Sequence, residues 1–128
     1  MICVDSSVFL AYLLGEDIAP SETFWDGRLT SSRLLEFETW NRLHSLGLAE
    51  EREDEARELL SSLELFELAE PVISRALNAY PIPVRTLDGL HLATLEYARR
   101  RSPRIELATY DRRMRECARA LGFGIVEP

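Results

Sequence analysis

The chain contains no lysine; all fifteen of its basic residues are Arg. The planar guanidinium fork suits phosphate oxygens, but an all-Arg chain also follows from a GC-rich genome, so this absence excludes no function class. Cysteine is nearly absent too. Cys3 and Cys117 lie far apart, which rules out a disulfide framework or a cluster of zinc thiolates, and each reads as a buried structural thiol. No apolar run is long enough for a bilayer, and no basic segment precedes the apolar Val8–Leu14 stretch. Neither a membrane span nor a signal peptide is therefore expected, and the expected location is the cytoplasm. The six glycines are scattered, so there is no phosphate-binding glycine loop. Without a Gly-x-Ser-x-Gly elbow, a Ser–His–Asp hydrolase lacks its positioned nucleophile. Internal repeats and low-complexity segments are also missing.

What is present fits one domain over residues 1–128, with 46% hydrophobic residues and a net charge of −7. That charge is unevenly spread. Residues 1–64 carry five Arg against fourteen acids, and residues 65–128 carry ten Arg against eight. Between Arg99 and Arg119 there are eight Arg and only three acids. Arg99, Arg100 and Arg101 sit at a helix end, where dipole compensation accounts for them.

The organising stretch is Met1–Leu10. Ile2-Cys3-Val4 reads as a strand buried on both faces, and the apolar run stops at Asp5. Ser6 and Ser7 offer N-cap hydroxyls to a helix built on Val8, Phe9, Leu10, Tyr12, Leu13 and Leu14, and Asp5 reads equally as a residue that helps cap it. Further along, Arg28–Ser31 predicts a second strand, and Ser31 or Ser32 caps a helix over Arg33–Leu46 that Gly47 ends. An acid-rich helix over Glu50–Leu63 follows, its acids reading as a solvated face. Leu65–Leu68 predicts a third strand and Pro71–Tyr80 a helix. Thr86 caps a helix over Leu87–Arg101, Ile105–Ala108 is a fourth strand, Asp111–Leu121 a helix and Gly124–Val126 a last strand. Strands alternating with helices argue for a parallel, three-layer α/β sheet.

In such a fold the strand carboxyl ends and helix openings share one edge, where ligands bind. Asp5 follows the first strand, Asp88 opens a helix after the Pro-rich loop, and Asp111 follows the fourth strand. A fourth acid lies on the helix after the second strand. Glu36 and Glu38 are about 200° apart there, so at most one faces the site, and periodicity does not choose between them. Glu38 shares a polar stripe with Asn41, Arg42 and Ser45, which reads equally as a solvent face with a Glu38–Arg42 pair. Clustered carboxylates repel one another without a cation. Hard oxygen donors suit Mg²⁺ or Mn²⁺, and the chemistry that follows is metal-assisted phosphodiester hydrolysis. His91, one helical turn after Asp88, reads as a core residue that could touch the site, and His44 as a surface residue.

Four segments carry a family resemblance: Val4-Asp5-Ser6-Ser7; Ser31–Glu38; Leu87-Asp88-Gly89-Leu90-His91-Leu92-Ala93; and Thr109-Tyr110-Asp111-Arg112-Arg113-Met114. In this order and spacing the chain resembles the PIN-domain family, and within it the VapC-type ribonuclease toxins, from residue 2 to residue 126. The resemblance implies a sheet ordered 3-2-1-4-5 and RNA cleavage at a Mg²⁺ or Mn²⁺ site. It selects Glu38 over Glu36 and assigns Asp5, Glu38, Asp88 and Asp111 as catalytic metal ligands. It gives Thr109, and with it Ser6, a hydrogen-bonding role beside them. Arg112 and Arg115 lie near the start of the Asp111 helix, where such residues offset phosphate charge, and Arg112 is the expected contact. The partners implied are RNA, a VapB-like antitoxin and a second copy in a homodimer. The apolar residues Leu34, Leu35, Phe37, Trp40 and Leu43 surround one helix more completely than packing on a sheet requires, which fits another chain. A PIN-like nuclease of RNA processing without an antitoxin, or a silent RNA- or protein-binding module, is the alternative. Gly89 departs from the alanine expected in its motif, at a helix-propensity cost of about 1 kcal/mol.

Overall fold

Leu29-Thr30-Ser31-Ser32 is buried along its whole length although three of its four residues are polar. The hydroxyls are admitted because each finds a partner. Thr30 Oγ1 donates to the Glu64 carbonyl at 2.6 Å and Ser31 Oγ to the Val4 carbonyl at 2.7 Å. In this structure, a computed structural model describing residues 1–128, that stretch is β2 and lies inside a five-stranded parallel sheet. The elements are β1 (Ile2–Val4), α1 (Ser6–Leu13), a 3₁₀ turn (Glu22–Asp26), β2 (Leu29–Ser32), α2 (Leu34–Ser45), α3 (Ala49–Ser61), β3 (Glu64–Phe66), α4 (Glu70–Ala76), α5 (Thr86–Ala98), β4 (Glu106–Ala108), α6 (Arg112–Ala120) and β5 (Gly124–Val126). The sheet order is β3-β2-β1-β4-β5, as the resemblance implies, with all neighbours parallel.

Successive residues of β1 and β4 point to opposite faces, and the two faces carry separate cores. Val4 and Ala108 pack with Val8, Phe9 and Leu13 of α1, Leu35 and Leu43 of α2, and Ala56 and Leu60 of α3. Cys3 and Leu107 pack on the other side with Leu92 and Leu95 of α5 and Met114 and Cys117 of α6. Both cysteines are free and buried, and burial, aided by the charge of Asp5, pushes the Cys3 thiol up to about 12. No helix is long and apolar enough to cross a membrane.

Arginines close helix ends across the layers. Arg52 of α3 donates to the Leu13 carbonyl at 2.9 Å, satisfying the end of α1. Arg99 donates to the Leu121 carbonyl at 2.9 Å while its guanidinium lies 4.0 Å from the centre of the Phe123 ring. Gly47, at φ 70°, ends α2 as its sequence predicts.

Several local expectations are corrected. The residue capping α1 is Asp5 itself, extended at φ −80° and ψ 155°, and not Ser6 or Ser7, which already lie inside the helix. Thr86 is likewise inside α5, whose capping position is Arg85 with no side-chain bond. For α2 the cap position is Arg33, although Ser32 Oγ accepts from the Leu34 N–H at 3.1 Å. Helix α4 ends at Ala76 instead of Tyr80. There the Arg75 guanidinium takes the Asn78 and Ala79 carbonyls at 3.4 and 3.3 Å, which folds the chain out of the helix.

Tyr80, freed from that helix, explains Gly89. Its ring lies against the first turn of α5, with its hydroxyl bonded to the Gly89 carbonyl and its other face on the Arg75 guanidinium, 4.2 Å from the ring centre. A Cβ at residue 89 would sit 3.3 Å from Tyr80 Cε2. Gly89→Ala is therefore expected to forfeit the ~1 kcal/mol that helix propensity offers and to leave stability unchanged or lower in urea denaturation. A gain of that full amount would show that Tyr80 retreats freely.

Candidate active site

Asp5 leaves the central strand with its N–H bonded to the Ala108 carbonyl at 3.0 Å, which ties it to β4. Its side chain is 4% exposed and is held through one oxygen. Oδ2 accepts from Ser7 Oγ at 2.7 Å, from Thr109 Oγ1 at 2.8 Å and from the Ser7 N–H at 3.4 Å. Oδ1 accepts no bond from the protein. Each hydroxyl that donates to Asp5 is itself oriented by a backbone N–H. The Tyr110 N–H donates to Ser7 Oγ at 2.9 Å and the Asp111 N–H to Thr109 Oγ1 at 3.0 Å. Arg115 adds a bond to the Thr109 carbonyl at 3.3 Å. The turn after β4 is thereby fixed to the turn after β1.

Asp111 ends that turn as the N-cap of α6, and its Oδ1 accepts from the Met114 N–H at 3.0 Å. Both aspartates that follow strands thus serve helix starts. Capping and site-building coincide, because a side chain that caps a helix at the strand carboxyl end already faces the ligand edge.

Glu38 and Glu36 part company as the helical geometry requires. Glu36 pairs with Arg33 at 2.9 Å on the surface. Glu38 points the other way: its Oε2 accepts from Ser6 Oγ at 3.2 Å and its Oε1 is bonded by His91 Nε2. No Glu38–Arg42 pair forms. Asp88, in the first turn of α5, stands within the field of the other three acids. Burial raises its pKa above the ordinary 3.8, and the charges of Asp5, Asp111 and Glu38 raise it further, partly offset by His91. Burial alone would lower His91, but the Glu38 bond and the charges of Glu38, Asp5 and Asp88 carry it above its ordinary 6.5.

The four acids come from four elements and share one edge, with Ser6 and Thr109 bonding them as the resemblance implies. Arg112 does not. Its side chain is 88% exposed and pairs with Glu116 at 3.2 Å, one turn along α6. Arg115 is the arginine nearest the network, because it lies on the face of α6 that turns back to Thr109. Ser7 is the member of the Asp5 network that the sequence conceals, since adjacent serines before a helix both read as caps. His91 is the other. Its spacing from Asp88 hinted at the site, but its partner lies 53 residues away in the chain.

The donor set is oxygen-rich and suits a hard divalent cation, and Asp5 Oδ1 stays free of protein donors. No group of three His, Cys, Asp or Glu side chains is drawn together as a ready-made cage. Burial, and after it the charges of the other three acids, raise the pKa of Asp88, as expected where carboxylates share one edge. Three helices, α1, α5 and α6, also begin at this edge, and their N-terminal dipoles favour negative charge there.

A family model described as PIN domain matches residues 2–120. Among curated proteins, the chain is similar to Ribonuclease VapC35 of Mycobacterium tuberculosis (strain ATCC 25618 / H37Rv), 42% identical over 71 residues, covering 55% of this chain and 52% of that protein. Ribonuclease VapC46 of the same strain is 38% identical over 73 residues, covering 56% and 54%. The chain thus spans about half the length of the curated relatives it matches. Among solved structures, a toxin-antitoxin complex from Klebsiella pneumoniae aligns with a TM-score of 0.73, covering 100% of this chain and 98% of that one at 17% identity. That likeness is one of fold.

The pKa directions fix how the metal-free protein responds to pH. His91 binds its proton more tightly folded than unfolded, so its contribution to stability is present below about 6.5 and is lost as pH rises through the raised folded value. Asp88 has the same sign in a lower window, above 3.8. In EDTA the Tm is therefore expected to fall as the pH is raised from 6.5, and Glu38→Gln should flatten that fall. An equal slope in the two proteins would show that the His91–Glu38 pair is not its source.

Proposed function

The chain belongs to the PIN-domain family, and from that premise we propose that it is a Mg²⁺- or Mn²⁺-dependent endoribonuclease, the toxin of a toxin–antitoxin pair. What supports the reading is that Asp5, Glu38, Asp88 and Asp111, from four separate elements, lie along the carboxyl edge of the parallel sheet. Burial raises the pKa of Asp88, and the charges of Asp5, Asp111 and Glu38 raise it further. These four would hold the ion or ions, directly or through water. A bound divalent cation supplies a lowered pKa for the attacking water and charge relief for the leaving oxygen.

The protein's own part is positioning. Ser7 and Thr109 take one oxygen of Asp5 and leave the other for the ion. Asp111 is held by the Met114 N–H through one oxygen in the same way. Asp88 is only half-buried, so solvent reaches it. The Arg-rich second half of the chain supplies positive charge for RNA, with Arg115 rather than Arg112 beside the carboxylates.

Purified protein is expected to cleave single-stranded RNA with Mg²⁺ or Mn²⁺ and to stop with EDTA. Asp5→Asn and Asp111→Asn should lower the rate by about 100-fold or more, beyond the ~10–100-fold usual for a group that only orients a ligand. The fold should survive, because Asn still caps a helix. Glu38→Gln should be similarly damaging and Glu36→Gln close to wild type. The reverse order for the two glutamates would remove Glu38 from the site.

The partner half of the proposal rests on surface. Ser7, Leu10, Ala11, Leu14, Arg42 and Tyr110 line an open groove of about 530 Å³ beside the carboxylates. Ile18 at its rim is 74% exposed, and Phe37, the residue before Glu38, is 62% exposed. Trp40, by contrast, is covered within the chain by Arg57 of α3. A VapB-like antitoxin segment would bury this strip, and a second copy would make the homodimer. Co-expression with an adjacent small reading frame is expected to relieve growth arrest and to yield a co-purifying complex. A monomer that cleaves RNA, is harmless in cells and has no such partner would favour the RNA-processing alternative. One that cleaves nothing would favour the silent module.

A further inference from the structure

Glu38 is reached from two sides, and the second side is unusual. His91 is 3% exposed in a helix whose neighbouring residues Leu92, Ala93 and Leu95 belong to the core. Its Nε2 bonds Glu38 Oε1, and its Nδ1 is buried with no partner at all. The ring's one polar engagement is therefore with Glu38. Packing alone does not call for an imidazole here, since an apolar side chain would fill the space without stranding a buried nitrogen. A carboxylate only accepts, so the bonded Nε2 carries the hydrogen.

Glu38 also has somewhere else to go. Arg42 lies four residues along the same helix, at the spacing of a surface ion pair, yet it pairs with no acid in the structure. The glutamate thus has two available partners, and it is found with the buried one. Ser6 holds only its second oxygen, at 3.2 Å.

We propose that His91 is a positioning residue, which holds Glu38 in the carboxylate cluster and away from Arg42, and so sets the affinity of the site for its divalent ion. The inference rests on the metal-site reading above. Groups that hold a metal ligand in place typically change metal affinity by ~10–100-fold when removed.

The test is Mn²⁺ binding by calorimetry, with Tm in EDTA measured alongside. His91→Leu fills the volume and removes the donor; it should weaken Mn²⁺ at least about tenfold. His91→Gln places an amide N–H within similar reach and should recover most of the loss. Arg42→Ala in the His91→Leu protein should restore part of the affinity by removing the competing partner, a response that lost packing would not give. Wild-type affinity in His91→Leu, or a His91→Gln protein no better than His91→Leu, would overturn the proposal. If His91→Leu fails to fold, His91→Asn, whose amide is too short to reach Oε1, takes its place with the same expected loss. Wild-type protein that neither binds Mn²⁺ nor cleaves RNA would instead remove the functional reading beneath it.

Discussion

Two hydroxyl groups hold the edge of this sheet together. Ser7 and Thr109 each donate to the same oxygen of Asp5 and each accept a backbone N–H from the turn after β4. A hydroxyl can donate once while accepting, so the two groups work as relays that point peptide dipoles at one carboxylate. Buried at 4% exposure, that carboxylate would be costly without them. With them it is pinned through one oxygen and open at the other. The register of β1 against β4, the start of α1 and the approach to α6 all pass through these bonds.

The remaining acids are managed differently. Asp111 spends one oxygen on a helix cap, Glu38 is shared between Ser6 and His91, and Asp88 keeps the least support. The last is the one whose proton is held more tightly, because burial and three like charges act on it and only His91 opposes them. Three helix N-termini face the same edge and offset part of the repulsion. The fold thus tolerates four carboxylates by giving three of them hydrogen-bond partners and leaving Asp88 with none.

Much of this could be read from residues alone, and the limits have physical causes. The alternation of short apolar strands with helices gave the layers, because periodicity is a local property that the core then enforces. Three acids could be placed because strand ends and helix starts share an edge. Glu38 could not be told from Glu36 by pattern, since leucines and aromatics flank both. Its orientation depends on Ser6 and His91, which come from other elements. The caps were misplaced for a related reason: Asp5, Ser6 and Ser7 are all good N-cap residues, and only the backbone shows which one is extended. Gly89 read as a loss of helix propensity until Tyr80 was found lying over it. Arg112 and Arg115 differ by one face of α6, and which face turns to the site depends on how the helix packs.

The sheet order has a temporal side. β1 precedes both of its sheet neighbours in the chain but lies between them, and the bonds that complete Asp5 come from residues 109 and 110. A chain still in synthesis can pack α1, α2 and α3 on one face well before residue 111 has been added. During that interval three of the four acids already exist and the fourth does not. The turn that gathers the carboxylates is thus laid down after every element it gathers apart from α6.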